Sequence, residues 1–238
     1  MTRVVISQPM FFPWVGMYEQ IRLAEVYVNY ADVQFSKGSF TNRVQIKTAA
    51  GSKWLTLPLA DLRLGQRIDE VRIDNRKDWR QSHRDLLRQS YRDAPFCADM
   101  LVLVDEVYGR PSDSLAEITQ ASLMAGCRYF GLEAGKTFLD VRDMGIGGES
   151  SQRVFDVVRK LQGTCYITGH GARHYLDHAL FERAGISVEY MNYRKLPYPQ
   201  LHGAFTPFVS ILDLIANEGR AGLARIVSPS VDWREFLP

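Results

Sequence analysis

The chain has 238 residues, enough to bury a sizeable core, and its 46% hydrophobic and 24% charged residues are the balance of a folded globular protein rather than a disordered one. Its formal net charge is +2, with 29 Lys and Arg spread among 27 Asp and Glu, so nothing argues for a nucleic-acid partner. No apolar run approaches the roughly 20 residues of a membrane span and the N-terminus lacks the regions of a signal peptide, which gives the expectation of a cytoplasmic protein.

Residues 3–7, RVVIS, form a β-rich run, and after a proline-bounded loop, SQPMFFPWVG, the segment GMYEQIRLAEVYV passes from helical spacing to a second β-rich run at 26–30. Strand, helix, strand favours a parallel sheet with a right-handed crossover, and places the loop 8–16 at a strand's carboxyl end, where open α/β sheets bind ligands. NRVQIKTAAGSKWLTLPL then alternates around 50–52 as a hairpin that ends at Pro58. VRIDN at 71–75 predicts a short strand, and a helix follows over about 79–91.

Two helical patterns between 98 and 131 flank Gly109-Arg110-Pro111-Ser112-Asp113-Ser114, where a Ser or Asp can cap the second; with 79–91 they make a helical subdomain at about 79–135. TFLDVRDM reads as a strand, SSQRVFDVVRKLQG as an amphipathic helix and TCYITG as a buried strand ending in Gly-His-Gly. ARHYLDHALFERAG predicts a continuous helix stopped by Gly185, ISVEYMNY a strand, and VSILDLIANEG a last helix. The expectation is a single α/β domain over 1–238: a mostly parallel Rossmann-like sheet with an inserted β-hairpin and a helical subdomain, without internal repeats.

Several residues have chemistry to offer. Gln8 can donate and accept at a strand end. Asp32, Gln34 and Lys37 follow a predicted strand and Asn42 with Arg43 open the next, so a short loop gathers a carboxylate, two amides and two cations; alternatively Asp32 pairs with Arg43 or Lys37 and only pins the loop. His83 stands at the border of a helix's apolar stripe, where a histidine can accept a proton from an amine, though such histidines are commonly packed residues. The run from Gly169 through His170, Gly171 and Arg173 to Tyr175 reads as a backbone anion site with Arg173 as counter-charge. His170, His174 and His178 are spaced for a metal, but the glycines break the helix such a site needs, so no metal is expected. The cysteines, Cys97, Cys127 and Cys165, are far apart and read as inert reduced thiols.

The proline loop is similar in position and outline to the phosphate loop of HxGH nucleotidyltransferases. Trp14 and Met17 occupy the two histidine positions, and neither can donate a charged hydrogen bond. A wider likeness is carried by QPMFFPWVGMYEQIRLAEVYV, ADVQFSKGSFTNRVQIKT, KWLTLPL, DWRQSHRDLLRQSYRDAPF, CYITGHGARHYL and SILDLI, which in that order resemble the WbqC-like protein family. Its motif positions fall on Gln8, Pro9, Pro13, Gly16, Asp32, Gln34, Lys37, Asn42, Arg43, Thr56, Pro58, His83, Tyr91, Gly169, Gly171, Tyr175 and Asp213. The chain departs from the pattern at Ala31, where the family usually has a second Asp, and at His170, where smaller residues are common.

The resemblance implies a bacterial protein of surface-polysaccharide, amino-sugar or related biosynthesis. It further implies a transferase that places an acyl or aminoacyl group on the amino group of an amino sugar or related metabolite. No tightly bound cofactor is expected. The donor would be an acyl thioester on coenzyme A or an acyl carrier protein, and the acceptor a small molecule or nucleotide sugar. On this reading His83, Asp32 and Gln8 are catalytic, and Gln34, Lys37, Asn42, Arg43, Gly169, His170, Gly171, Arg173 and Tyr175 bind substrate. A nucleotidyltransferase with a degenerate loop and a non-catalytic binding module are the alternatives.

Overall fold

The structure, a computed structural model, describes residues 1–237. It opens with β1 (Arg3–Ser7), α1 (Val15–Leu23) and β2 (Val26–Asn29), and β2 lies parallel to β1 in the register Val4↔Val26 to Ser7↔Asn29. β3 (Arg43–Thr48) and β4 (Gly51–Thr56) form the antiparallel hairpin, turning at Ala49-Ala50, one to two residues before the expected position. β5 (Leu59–Ala60) and β6 (Arg72–Ile73) pair as a minimal antiparallel ribbon, shorter than the strand expected at 71–75.

Helices α2 (Trp79–Tyr91), α3 (Cys97–Tyr108) and α4 (Leu115–Phe130) follow. The Asp78 and Ser114 side chains accept the Gln81 and Glu117 amides, which fixes the starts of α2 and α4. The remaining elements are β7 (Thr137–Asp140), α5 (Ser150–Lys160), β8 (Cys165–Thr168), α6 (His178–Arg183), β9 (Ser187–Met191), α7 (Ile211–Glu218), β10 (Ser230–Asp232) and α8 (Trp233–Phe236).

Six strands form the central sheet in the order β10-β9-β8-β1-β2-β7, all neighbours parallel except β10, which runs antiparallel to β9. Alternation along each strand sends side chains to two separate cores. Val5, Tyr27, Cys165 and Ile167 join α1, α2, α3, α4 and α7 on one face, whereas Val4, Ile6, Val28, Tyr166 and Val188 join α5 and α6 on the other. The fold is therefore mixed α/β, with a mainly parallel sheet between two helical layers. No helix among the described residues is long and apolar enough to cross a membrane.

The continuous helix expected from 172 to 185 is corrected. A short 3-10 turn spans His170–His174, and α6 begins only at His178, its first turn capped by the Asp177 side chain, which accepts the Leu180 amide. Asp177 is a better cap than an interior helical residue, because its carboxylate competes for free amides. The histidines at 170, 174 and 178 consequently do not share a helix face. His170 donates from Nε2 to the Met191 carbonyl at 2.6 Å, His174 accepts from Arg173, and His178 bonds the Tyr190 hydroxyl at 2.9 Å.

Candidate functional site

From β1 the sheet extends in both directions, to β2 and β7 on one side and to β8, β9 and β10 on the other. The loops leaving β1 and β8 therefore separate at their carboxyl ends, and such a switch point is where open α/β sheets form a ligand crevice. A cleft of about 710 Å³ lies there, within the range of small-molecule sites. Another hollow of about 540 Å³ is lined by Arg72, Arg80 and Asp113, with Arg80 bonded to the Tyr108 and Ser112 carbonyls and Arg72 paired with Asp113.

The proline loop builds one wall of the cleft. Phe11 and Phe12 are fully buried and anchor the loop, each contributing roughly 2–3 kcal/mol by burial. The backbone is tied from three directions: Phe11 N donates to Phe40 O, Phe12 N to the Ser122 hydroxyl at 2.9 Å, and the Ser210 hydroxyl to Phe12 O at 2.8 Å. These bonds hold Phe12 at φ 38°, a left-handed conformation costly for an aromatic residue. The turn aims Trp14 back over Gly16, where an added Cβ would meet the indole at 2.3 Å, so only glycine admits that ring position.

Trp14 continues into an aromatic wall, with its ring 4.8 Å from Tyr193 and 5.6 Å from Phe208. The buried Gln20 amide donates to the Tyr193 hydroxyl at 2.7 Å and fixes that ring. Lys195 lies over Phe208 at 4.9 Å. Tyr30, Phe40, Tyr166, Tyr175, Thr168 and His170 also line the cleft, and Gln8 projects at the end of β1 with no side-chain hydrogen bond among the described residues. The Met191 carbonyl accepts a hydrogen bond from His170 Nε2–H, which leaves Nδ1 as the ring nitrogen that can accept one.

Of the residues singled out from sequence, Gln8, Gly169, His170, Gly171 and Tyr175 line this cleft. The others do not. His83 is buried beside Phe11, Trp79 and Tyr108; its Nε2 donates to the Thr56 carbonyl at 3.1 Å and its Nδ1 accepts from the Tyr108 hydroxyl at 3.0 Å. Burial pushes its pKa down to about 4, outweighing the Thr56 carbonyl, which favours the protonated ring. With both nitrogens engaged, His83 has no free position for a substrate proton.

The loop of polar residues is also dispersed. Asp32 pairs with Arg153 of α5, not with Arg43 or Lys37, and Arg153 is almost fully buried with its guanidinium 4.9 Å from the Tyr30 ring. The Asp32 bond holds the Arg153 pKa above its ordinary value. Asn42 is buried and donates to the Leu57 carbonyl, while Arg43 stacks on Trp54 at 4.2 Å and bonds the Gly38 carbonyl. Gln34 sits opposite Arg67 in an isolated bridge, and Lys37 is exposed. Arg173 is exposed against His174 outside the cleft. The 3-10 turn after Gly169 is too short to supply the helix N-terminus expected for an anion.

Sequence reasoning missed Tyr193, Lys195 and Phe208 as lining residues. Tyr193 was accessible from the rule that ligands meet strand ends, since it follows β9 by two residues. Lys195 and Phe208 lie in the irregular stretch 192–209, which has no period to reveal its facing. The thiols are unsuited to nucleophilic work: Cys127 and Cys165 are buried, their pKa values pushed up to about 12 and about 11 by desolvation.

The chain is 31% identical over 222 residues to an uncharacterized protein of Mycobacterium tuberculosis (strain ATCC 25618 / H37Rv), Rv1507c, a match that covers 92% of this chain and 95% of the relative. No solved structure matches it significantly. The WbqC-like protein family matches residues 8–225, which takes in the proline loop, the cleft wall and α7 together. A match over so much of the chain, with its motif residues placed on one continuous structural frame, makes this protein a member of the WbqC-like protein family.

Proposed function

We propose that the protein is a biosynthetic N-acyl- or aminoacyltransferase whose acceptor is the amino group of an amino sugar, carried as a nucleotide sugar or a related small metabolite. The observation that supports this reading is the cleft at the ends of β1 and β8, where aromatic faces surround one uncommitted amide and one imidazole with a free acceptor nitrogen. Trp14, Tyr193 and Phe208 offer faces that stack on a sugar ring or a nucleobase. Lys195 at their edge suits a phosphate.

The reaction is direct attack. The acceptor amine adds to the carbonyl carbon of an acyl thioester, a C–N bond forms, the C–S bond breaks, and the amine proton passes through the His170 imidazole to the departing thiolate. Gln8 donates its amide N–H to the carbonyl oxygen as negative charge develops there. The route uses no protein nucleophile, in keeping with the buried thiols. Nucleotidyl transfer is disfavoured because Met17 is buried in the core and Trp14 packs on Gly16, which leaves no cation at either histidine position of the loop.

Incubation of the purified protein with candidate acyl-coenzyme A and acyl-carrier thioesters and UDP- or dTDP-linked amino sugars should add an acyl mass to the amine. His170→Gln should abolish most of that gain while the fold is retained. A folded protein that acylates none of these amines overturns the reading. A binding module remains the second reading, favoured by the lack of any carboxylate in the cleft lining, and tight nucleotide-sugar binding without turnover would select it.

A further inference from the structure

The rim of the cleft carries a second pattern, which the acceptor site uses only at Lys195 and Phe208. The whole chain is nearly neutral, with 29 Lys and Arg against 27 Asp and Glu, yet the stretches 33–60 and 190–212 contain no Asp or Glu at all. The fold joins these two stretches: Ser210 N donates to the Gln45 carbonyl at 2.8 Å, and Gln45 bridges Val209. Of their basic residues, Lys37, Arg43, Lys53, Arg194 and Lys195 make no salt bridge among the described residues, while Lys47 is spent inside on the Ala204 and Gly203 carbonyls.

The same face is apolar where it opens. Phe40, Trp54 and Phe208 are 41%, 37% and 45% exposed, high for rings of this size. Phe40 lies 5.8 Å from Trp54, on which Arg43 stacks, and both Phe40 and Phe208 also line the cleft. Exposed aromatics, unpaired cations and a mouth leading to the reaction site are therefore continuous. A free nucleotide would engage cations inside the cleft, whereas Arg43 and Lys37 stand outside it.

We infer that this face docks an acidic acyl carrier protein, which presents its thioester on a phosphopantetheine arm that enters the cleft between Phe40 and Phe208. The inference rests on the transferase reading and names its donor. Negative residues on the carrier meet Lys37 and Arg43, which stand outside the cleft, and its apolar contact covers Trp54 and Phe40. Charge complementarity of this kind governs encounter and is weakened by salt.

The test titrates purified holo-acyl carrier protein against the full chain and, separately, follows transfer from carrier and coenzyme A thioesters. Binding should be lost or weakened about tenfold or more in a Lys37→Glu/Arg43→Glu double variant, and weakened in the wild type as salt rises from about 0.05 M to about 0.3 M. Trp54→Ala, on an exposed strand position, provides a second variant that should weaken binding by removing the apolar contact and the ring on which Arg43 stacks, with every charge retained. Gln8→Ala should leave carrier binding intact, so a failed transferase reading shows as binding without turnover. The proposal is overturned if the holo-carrier does not bind, if binding ignores both the charge reversal and Trp54→Ala, or if the double variant slows transfer from coenzyme A as much as from the carrier.

Discussion

His83 shows how far a single residue can depart from its position on a helical wheel. Spacing placed it at the edge of an apolar stripe, but the Thr56 carbonyl and the Tyr108 hydroxyl close over it from two other elements and make it a neutral structural histidine. Neither partner is visible within α2. Because its folded pKa of about 4 lies below the ordinary value of 6.5, the unfolded chain binds more protons between these limits. The stability it contributes is full above about pH 6.5, declines as pH falls and is gone below about pH 4, a difference on the order of 3 kcal/mol. Denaturation across this range should show a steeper fall for wild type than for His83→Gln, with ligand binding in the cleft alike at pH 7.

Gln8 is the opposite case, a residue free of internal duties at a strand end. Gln8→Ala should leave the melting temperature within a degree or two and cut transfer about a hundredfold, as loss of one oxyanion donor does. A parallel loss of stability would instead make Gln8 a packing residue. Trp14 combines both roles, because its indole fills the space above Gly16 and faces the cleft. Gly16→Ala should displace the ring and weaken ligand binding more than it lowers stability, measurable by paired titration and thermal melts.

At the scale of elements, the β1–α1–β2 unit, the hairpin, α2 and the cap of α4 were legible because period and punctuation agreed. The edge strand β10 was not, since Ser230–Asp232 is too short to show alternation. The stretch 192–209 was also illegible, because what holds it is a buried polar network. Asp213 at 0% exposure accepts the Tyr91 and Tyr198 hydroxyls, both at 2.9 Å, and Lys47 grips the Ala204 carbonyl at 2.8 Å. Burial raises the Asp213 pKa despite both hydroxyls. The motif positions Tyr91 and Asp213 thus support the cleft indirectly, by anchoring the segment that carries Tyr193, Lys195 and Phe208. Asp213→Ala strands these partners and should cost about 2–4 kcal/mol, with earlier proteolysis within 192–209 than elsewhere. Uniform loss of protection would mean the network stabilises the core generally.

For the whole molecule, the parallel sheet and the presence of a cleft at its strand ends followed from the repeated strand-helix-strand pattern and the rule for strand ends. Which loops meet there depended on strand order, and no local signal in β1 announces that β8 is its neighbour. That order explains why Gln8 and His170, 162 residues apart, face one cleft, while the dense polar run from Asp32 to Arg43 is split between the Arg153 pair, the hairpin and the rim. The central claim is that this cleft holds the acceptor. A crystal structure of the protein soaked with a UDP- or dTDP-linked amino sugar tests it most directly. The account predicts density between Gln8, Trp14 and Tyr193 with the sugar nitrogen near His170 Nδ1; density confined to another surface, with the cleft empty, would contradict it.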